Sequence, residues 1–254
     1  MNFFVYKTVA ERYAQYRPYF HPLVIEKITA YLNVQKPLAF ALDVGCGSGQ
    51  STIALKEIAD LVVGADISAE MLNFAEKNSG IQYIQAAAEK LAIRGNSFDL
   101  LTTSLAYHWF DQKLFFAEAR RILKDGAWFI ISNNGFSGQM KENPEFEQWM
   151  MQVYEKHYPT PPRNSTPITP EFAYQHGFSF AHREEYQNEV QFTAEELSAY
   201  LITQSNVIAA TEQGSEKVEE IYLWLTTRIR PFFRSERATF VFEGYIWYLQ
   251  KVSG

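Results

Sequence analysis

Three glycines in five residues, Gly45, Gly47 and Gly49, lie in the stretch ALDVGCGSGQST, behind an apolar run and ahead of a helical pattern. Glycine lets a backbone turn left-handed and lets a ligand come close to main-chain atoms. A glycine turn from a strand into a helix brings backbone N–H groups and the positive end of a helix near that ligand. A phosphate-binding loop would close on Gly-Lys-Ser/Thr, and GSGQST has no lysine. A dinucleotide fingerprint would read G-x-G-x-x-G, and position 50 is glutamine.

A third ligand suits the same turn. S-adenosylmethionine carries a carboxylate, a sulfonium and a nucleoside, but no pyrophosphate. It needs an acidic side chain at the end of the next strand to hold the ribose hydroxyls. Asp66 closes LVVGAD, 21 residues after Gly45, and a carboxylate there accepts two hydrogen bonds from a diol. The structural alternative is that Asp66 caps the helix beginning SAEML. Cys46 stands at a helix start, where a thiol pKa can fall. Its place between two glycines asks first for a small side chain. As the one cysteine of the chain, it makes neither an intrachain disulfide nor a cysteine-rich metal site, and it fits a reducing compartment.

These residues need a scaffold. LAFALDV, LVVGAD, IQYIQAA, FDLLTTS and AWFIISN read as strands, and QSTIALKEIA, SAEMLNFAEKN and QKLFFAEARRILKDG as helices between them. Ser68 is the expected N-cap of the second helix, with Met71, Phe74 and Ala75 on one face. Gly126 is the expected stop of the third. Alternating strands and helices imply a parallel α/β sheet with helices on both faces. Two short helices broken at RPYFHP precede this core, because Pro18 and Pro22 remove backbone donors. After Asn133 the rhythm changes. PTPPRNSTPITP is a loop, SFAHREEYQNEVQFT and TFVFEGYIWYLQKV contain strands, and AEELSAYLITQSNVI and EKVEEIYLWLTTRI read as helices. One domain over residues 1–254 is expected, with cap helices to 36, a core over 37–135 and remaining strands and a lid over 136–254.

Acidic residues outnumber basic ones, 29 to 23, for a formal charge of −6. That balance argues against a nucleic-acid backbone as partner, since counterion release needs a concentrated basic surface. No run approaches the roughly 18 apolar residues of a membrane span, and no signal-peptide pattern opens the chain. A soluble cytoplasmic protein is the expectation, with no metal and an open oligomeric state.

Together these residues resemble the class I S-adenosylmethionine-dependent methyltransferases. LDVGCGSGQST looks like their first motif and VVGADISAEMLNFA like the acidic motif after the second strand. AAAEKL and SFDLLTTSLAYHWFD look like the third and fourth. YAQYRPYF and HWF narrow the likeness to small-molecule enzymes of the trans-aconitate methyltransferase type. The resemblance implies a doubly wound, mostly parallel seven-stranded Rossmann-like sheet with N-terminal helices and a C-terminal helical lid. It implies S-adenosyl-L-methionine as cofactor, with Gly45, Gly47 and Asp43 at the methionyl part and Asp66 at the ribose. Ile67, Met71, Ala88 and Glu89 would lie along the adenine, and Ser104 and Leu105 under the sulfonium. Tyr13 and Arg17 would close over the cofactor. Many relatives carry Asp just before the Ala-Glu pair, whereas this chain has Ala87.

Methyl transfer from a sulfonium is an in-line displacement in which the protein supplies alignment and a dry pocket. A carboxylate acceptor needs no base; a hydroxyl, amine or carbon acceptor usually does. His108 is the one histidine beside the expected cofactor, either facing the acceptor or shaping the pocket floor. Trp109 and Phe110 read as packing residues. Tyr16, Tyr19 and Tyr107 border the acceptor or fill the core. Arg163, Arg183, Arg228, Arg230 and Arg234 include candidate clamps for an anionic substrate. Thr203, Gln204 and Ser205 form a polar step on an apolar helix. The expected activity is methylation of a small molecule, first a carboxylic acid and next a hydroxyl or carbon acceptor. An NAD-dependent oxidoreductase and a non-catalytic nucleoside-binding module remain alternatives.

Overall fold

The computed structural model describes residues 7–76, 79–162, 167–212, 214 and 216–253. Along the chain run α1 (Lys7–Tyr16), α2 (His21–Leu32), β1 (Leu38–Val44), α3 (Gln50–Leu55), β2 (Ala59–Asp66), α4 (Ala69–Leu72), β3 (Ile81–Gln85) and β4 (Phe98–Ser104). A 3-10 turn (Tyr107–Trp109) leads into α5 (Gln112–Ile122), β5 (Leu123–Met140) and α6 (Glu145–Trp149). A π-helical turn (Met150–Tyr154) continues into α7 (Glu155–His157), followed by α8 (Pro170–Gln175) and β6 (Phe178–Phe192). The chain ends with α9 (Ala194–Leu201), α10 (Ser205–Glu212), α11 (Val218–Ile229), a 3-10 turn (Arg230–Phe232) and β7 (Ala238–Lys251).

The seven strands form one sheet in the order β3-β2-β1-β4-β5-β7-β6. The pairings β2–β3, β1–β2, β1–β4 and β4–β5 are all parallel. The chain divides into two compact units. Unit 2 holds residues 19–133, 163–185 and 244–254; unit 1 holds residues 1–18, 134–162 and 186–243. Each has its own core.

In unit 2, Leu42, Val44, Leu101, Phe129 and Ile131 bring the middle strands onto Phe115, Phe116, Ala119 and Ile122 of α5. That face recurs every three to four residues, the spacing an amphipathic helix needs. Strand order reverses direction between β1 and β4, so a crevice opens beyond their carboxyl ends, where ligands bind in such sheets. Two sequence expectations change here. The helix expected over SAEMLNFAEKN is only α4, capped by Ser68, whose Oγ accepts the Met71 N–H at 3.2 Å. Lys77 and Asn78 lie outside the described residues. Gly126 is not a helix stop: α5 ends at Ile122, and Gly126 (φ 75°) lies inside β5.

In unit 1, Phe146, Tyr154, Leu197, Tyr200, Leu225, Ile229, Phe240 and Phe242 pack together. The α9 capping box is complete, with Thr193 Oγ1 accepting from Glu196 N and the Glu196 carboxylate from Thr193 N. The long helix expected over AEELSAYLITQSNVI is two helices, α9 and α10. Thr203 Oγ1 turns back onto the Tyr200 carbonyl at 2.6 Å, satisfying the end of α9 locally. Among the described residues no helix is long and apolar enough to cross a membrane.

Candidate functional site

The glycine turn links β1 to α3 at the crevice. Gly45, Gly47 and Gly49 all have positive φ, at 71°, 54° and 82°. Their bareness is also needed for space. A Cβ on Gly45 would lie 2.5 Å from Ala106 Cβ, and one on Gly47 would lie 2.9 Å from Met71 Cε. The turn's amides are not the bare donors the sequence suggests. Gly45 N and Cys46 N both donate to the Ala65 carbonyl, at 2.7 and 3.1 Å, and Gly49 N donates to Cys46 O at 2.9 Å. Gly47 N donates to Asp66 Oδ2 at 2.8 Å. Four backbone donors of the turn are therefore spent inside the protein. The space beside each glycine Cα is taken by Ala106, Met71 and Tyr83, so the turn is packed closely against its neighbours.

Asp43 is fully buried beneath the turn. Its Oδ2 accepts from Ser51 Oγ at 2.6 Å and Thr52 Oγ1 at 2.7 Å, and its Oδ1 from Thr102 Oγ1 at 3.1 Å. Burial pushes its carboxyl above the usual range, and the three hydroxyls pull it back. The three hydroxyls were missed in the sequence. Thr102 faces Asp43 across the β1–β4 register, a pairing that only the topology reveals.

Asp66 ends β2 with Oδ2 on Gly47 N and Oδ1 on Ser68 N, each at 2.8 Å. Its side chain thus joins the glycine turn to the start of α4, while Ser68 is the helix cap. Each oxygen has a second lone pair for a further donor. Burial raises its pKa, opposed by the backbone donors. Ile67 is 55% exposed beside it and Met71 is buried. Gln85 Nε2 donates to Ile67 O at 3.1 Å, so the end of β3 fixes the Ile67 backbone.

Ala88 is buried, and Glu89 Oε1 accepts the Asp111 N–H at 2.8 Å, bracing the segment ahead of α5. Ala87 pairs with Lys90 through an isolated bridge. Ser104 is the last residue of β4, and its buried Oγ has no hydrogen-bond partner. Leu105 follows with φ 59°. A left-handed leucine is strained, and such strain clusters at functional positions. His108 is half-buried on the 3-10 turn, its ring 4.6 Å from that of Trp109. Tyr107 is buried, and its Oη has no partner. Burial drives the Cys46 thiol well above its ordinary pKa, so it is a small neutral filler and not a nucleophile. Among the described residues no group of His, Cys, Asp and Glu is arranged to hold a metal.

Tyr13 and Arg17 belong to unit 1. The Arg17 guanidinium lies 4.6 Å from the Tyr13 ring centroid and 5.3 Å from that of Tyr200, and its Nη2 donates to Thr203 O at 2.8 Å. Of the candidate arginine clamps, Arg183 pairs with Glu185 and Arg230 with Glu195, while Arg228 and Arg234 are exposed. Arg163 lies outside the described residues. Arg12 was not singled out in the sequence, yet its buried Nε and Nη2 have no hydrogen-bond partner.

Residues 42–131 match the family described as a methyltransferase domain. A protein of Dictyostelium discoideum named as a candidate methyltransferase is 30% identical over 151 residues, 59% of this chain and 55% of that protein. A malonyl-[acyl-carrier protein] O-methyltransferase of Hamiltonella defensa is 33% identical over 106 residues, 41% of each chain. The matched part is thus about half the length of these curated relatives. A solved structure of a candidate type II methyltransferase from Anaeromyxobacter dehalogenans superposes with a TM-score of 0.68 at 22% identity, over 90% of this chain and 97% of that one. It shows a shared fold.

Proposed function

We propose that this chain, a class I S-adenosylmethionine-dependent methyltransferase by its residues 42–131, transfers a methyl group to a small-molecule carboxylic acid. The observation that carries the donor is the glycine turn. Four of its amides are spent on Ala65, Asp66 and Cys46, which leaves fewer donors for a pyrophosphate. Asp66 keeps lone pairs for a ribose diol. S-adenosylmethionine supplies a methyl already activated on its sulfonium.

Gly45 and Gly47 admit the methionyl part of the donor, and Asp43 braces the turn from beneath. Asp66 accepts the ribose hydroxyls, and Ile67 and Met71 flank the adenine with Ala88 and Glu89. Ser104 and the strained Leu105 lie under the sulfonium, where Ser104 Oγ lacks any other partner. With Ala87 in place of an acidic residue, adenine recognition falls to backbone groups and Glu89. His108 orients the acceptor; a carboxylate needs no proton removed. The acid acceptor is supported by the likeness to the malonyl-[acyl-carrier protein] O-methyltransferase, and it agrees with the resemblance of YAQYRPYF and HWF to the trans-aconitate type. Both compact units are taken as parts of one methyltransferase domain.

The test pairs binding with product chemistry. Calorimetry is expected to give saturable binding of S-adenosylhomocysteine and none of NADH; the reverse would return the chain to the oxidoreductases. Labelled S-adenosylmethionine incubated with a metabolite extract is expected to yield a product whose label is released by mild alkali, as a methyl ester requires. An alkali-stable product would move the acceptor to a hydroxyl, amine or carbon. Absence of any labelled product would leave a non-catalytic binding module.

A further inference from the structure

Unit 1 contains a cavity of about 650 Å³, within the size range of small-molecule sites. Three helices build it. Arg12 and Tyr16, four residues apart on α1, face it together with Ile202 at the end of α9 and Tyr222 of α11; Phe192 comes from the end of β6. Arg17 completes the cationic side.

The two arginines are unequally engaged. Arg17 donates through Nη2 to Thr203 O and is flanked by tyrosine rings, leaving its Nε without a partner. Arg12 is more exceptional. Its Nε and Nη2 are buried and make no hydrogen bond; Glu212 Oε1 is 3.8 Å from Nη2, an ion-pair distance beyond hydrogen bonding. Burial lowers the Arg12 pKa, opposed by Glu212 and Glu219. Two of its nitrogens have therefore lost water with only the ion pair to Glu212 in exchange. Buried polar groups in native proteins are nearly always satisfied, so such a group asks for a ligand.

Charge narrows the ligand. Arg237, which also lines the cavity, is held by Glu196 at 2.6 Å, and Glu195 is held by Arg230. Glu212 and Glu219 offset Arg12, so the lining has no large positive excess for a phosphate dianion. A planar guanidinium fork with two unpartnered donors matches one carboxylate. Tyr16, Phe192, Ile202 and Tyr222 offer an apolar wall to the rest of the molecule. We propose that the unit 1 cavity is a binding site for a monocarboxylate with an apolar or aromatic body, whose carboxylate is taken by Arg12. The site is read from unit 1 alone. Its identification with the methyl acceptor rests on the acid-acceptor reading above; its existence does not.

The probe is 4-phenylbutyrate, compared with its neutral amide, titrated calorimetrically into the full chain. The carboxylate is expected to bind saturably, at least about tenfold more tightly than the amide. Arg12→Gln is expected to weaken it about tenfold or more while leaving S-adenosylhomocysteine affinity within about twofold. If circular dichroism shows Arg12→Gln unfolded, Arg12→Lys carries the test; it keeps the charge, loses the fork, and is expected to bind several-fold more weakly. Equal binding of acid and amide, no saturable binding of either, or unchanged affinity in the folded arginine variant would overturn the site. S-adenosylhomocysteine titrated in parallel reports separately on the methyltransferase reading. Labelled donor added to the bound probe then separates the two sources of such an acid. Methylation makes the site the acceptor's, and bound but unmodified acid makes it an effector's.

Discussion

Asp66 has two structural obligations before it meets any ligand, one to Gly47 N and one to Ser68 N. Replacing it by alanine removes the ribose acceptor and also frees two backbone donors. We expect Asp66→Ala to weaken S-adenosylhomocysteine by about 1–3 kcal/mol and to lower the melting temperature as well. Ser68→Ala removes the α4 cap but not the carboxylate, so it should lower stability while binding changes little. Equal binding loss in both variants would make Asp66 a brace and nothing more. His108 calls for a different comparison. If it orients a carboxylate, His108→Asn lowers turnover more than cofactor affinity and leaves the shape of the pH–rate profile intact. Loss of a rising limb would make it a base and would replace the acid acceptor by a hydroxyl or amine. The residues that were legible in the sequence share a property: Gly45, Gly47, Asp66 and Ser68 act through local backbone geometry. Asp43 was placed but not understood, because its partners Ser51, Thr52 and Thr102 come from two separate segments.

The turn between β1 and α3 works as an element because three left-handed glycines fold it flat against its neighbours. Gly45 is tightly enclosed, with Ala106 Cβ and Phe110 Cζ both within 3 Å of where its Cβ would stand. Left-handed backbone alone costs an L-residue roughly 1–2 kcal/mol, and here the neighbours must also shift. Gly45→Ala is therefore expected to cost at least about 2 kcal/mol in urea unfolding and to abolish S-adenosylhomocysteine binding. A variant with wild-type stability and affinity would show that the segment carrying Ala106 moves freely, contrary to its packing. Element types followed from periodicity, but their ends did not. The run QKLFFAEARRILKDG looks helical throughout, yet Leu123 is extended, fully buried and paired with Phe98, and Lys124 meets Asp99 at 2.6 Å. Strand pairing outweighs helix propensity there. Likewise the cavity beside Arg12 was invisible, since α1, α9 and α11 are brought together only by the fold.

At the scale of the molecule, the separation into two cores means that each unit responds to its own buried charges. His21 is a buried titratable group of unit 2. It starts α2, stacks on Phe20 at 4.2 Å between ring centroids, and its buried Nδ1 has no partner. Burial pushes its pKa down to about 3, and the positive end of a helix adds to the disfavour of a cation. The folded chain thus keeps His21 neutral, while the unfolded chain protonates it near pH 6.5. Between those values the unfolded state holds the extra proton, so stability falls as pH falls from about 6.5 towards 3. The loss attributable to this one group is about 3 kcal/mol at pH 4. Asp43 and Asp66 act with the opposite sign, because burial raises their pKa values and the folded state gains protons first. A bare acid titration would mix these contributions, so the measurement is a difference. His21→Phe keeps the ring and removes the proton site. Its stability relative to wild type, from urea unfolding, is expected to rise by about 3 kcal/mol between pH 7 and pH 4. A difference that stays constant over that range would mean that His21 is protonated in the folded protein, and that the start of α2 opens to water.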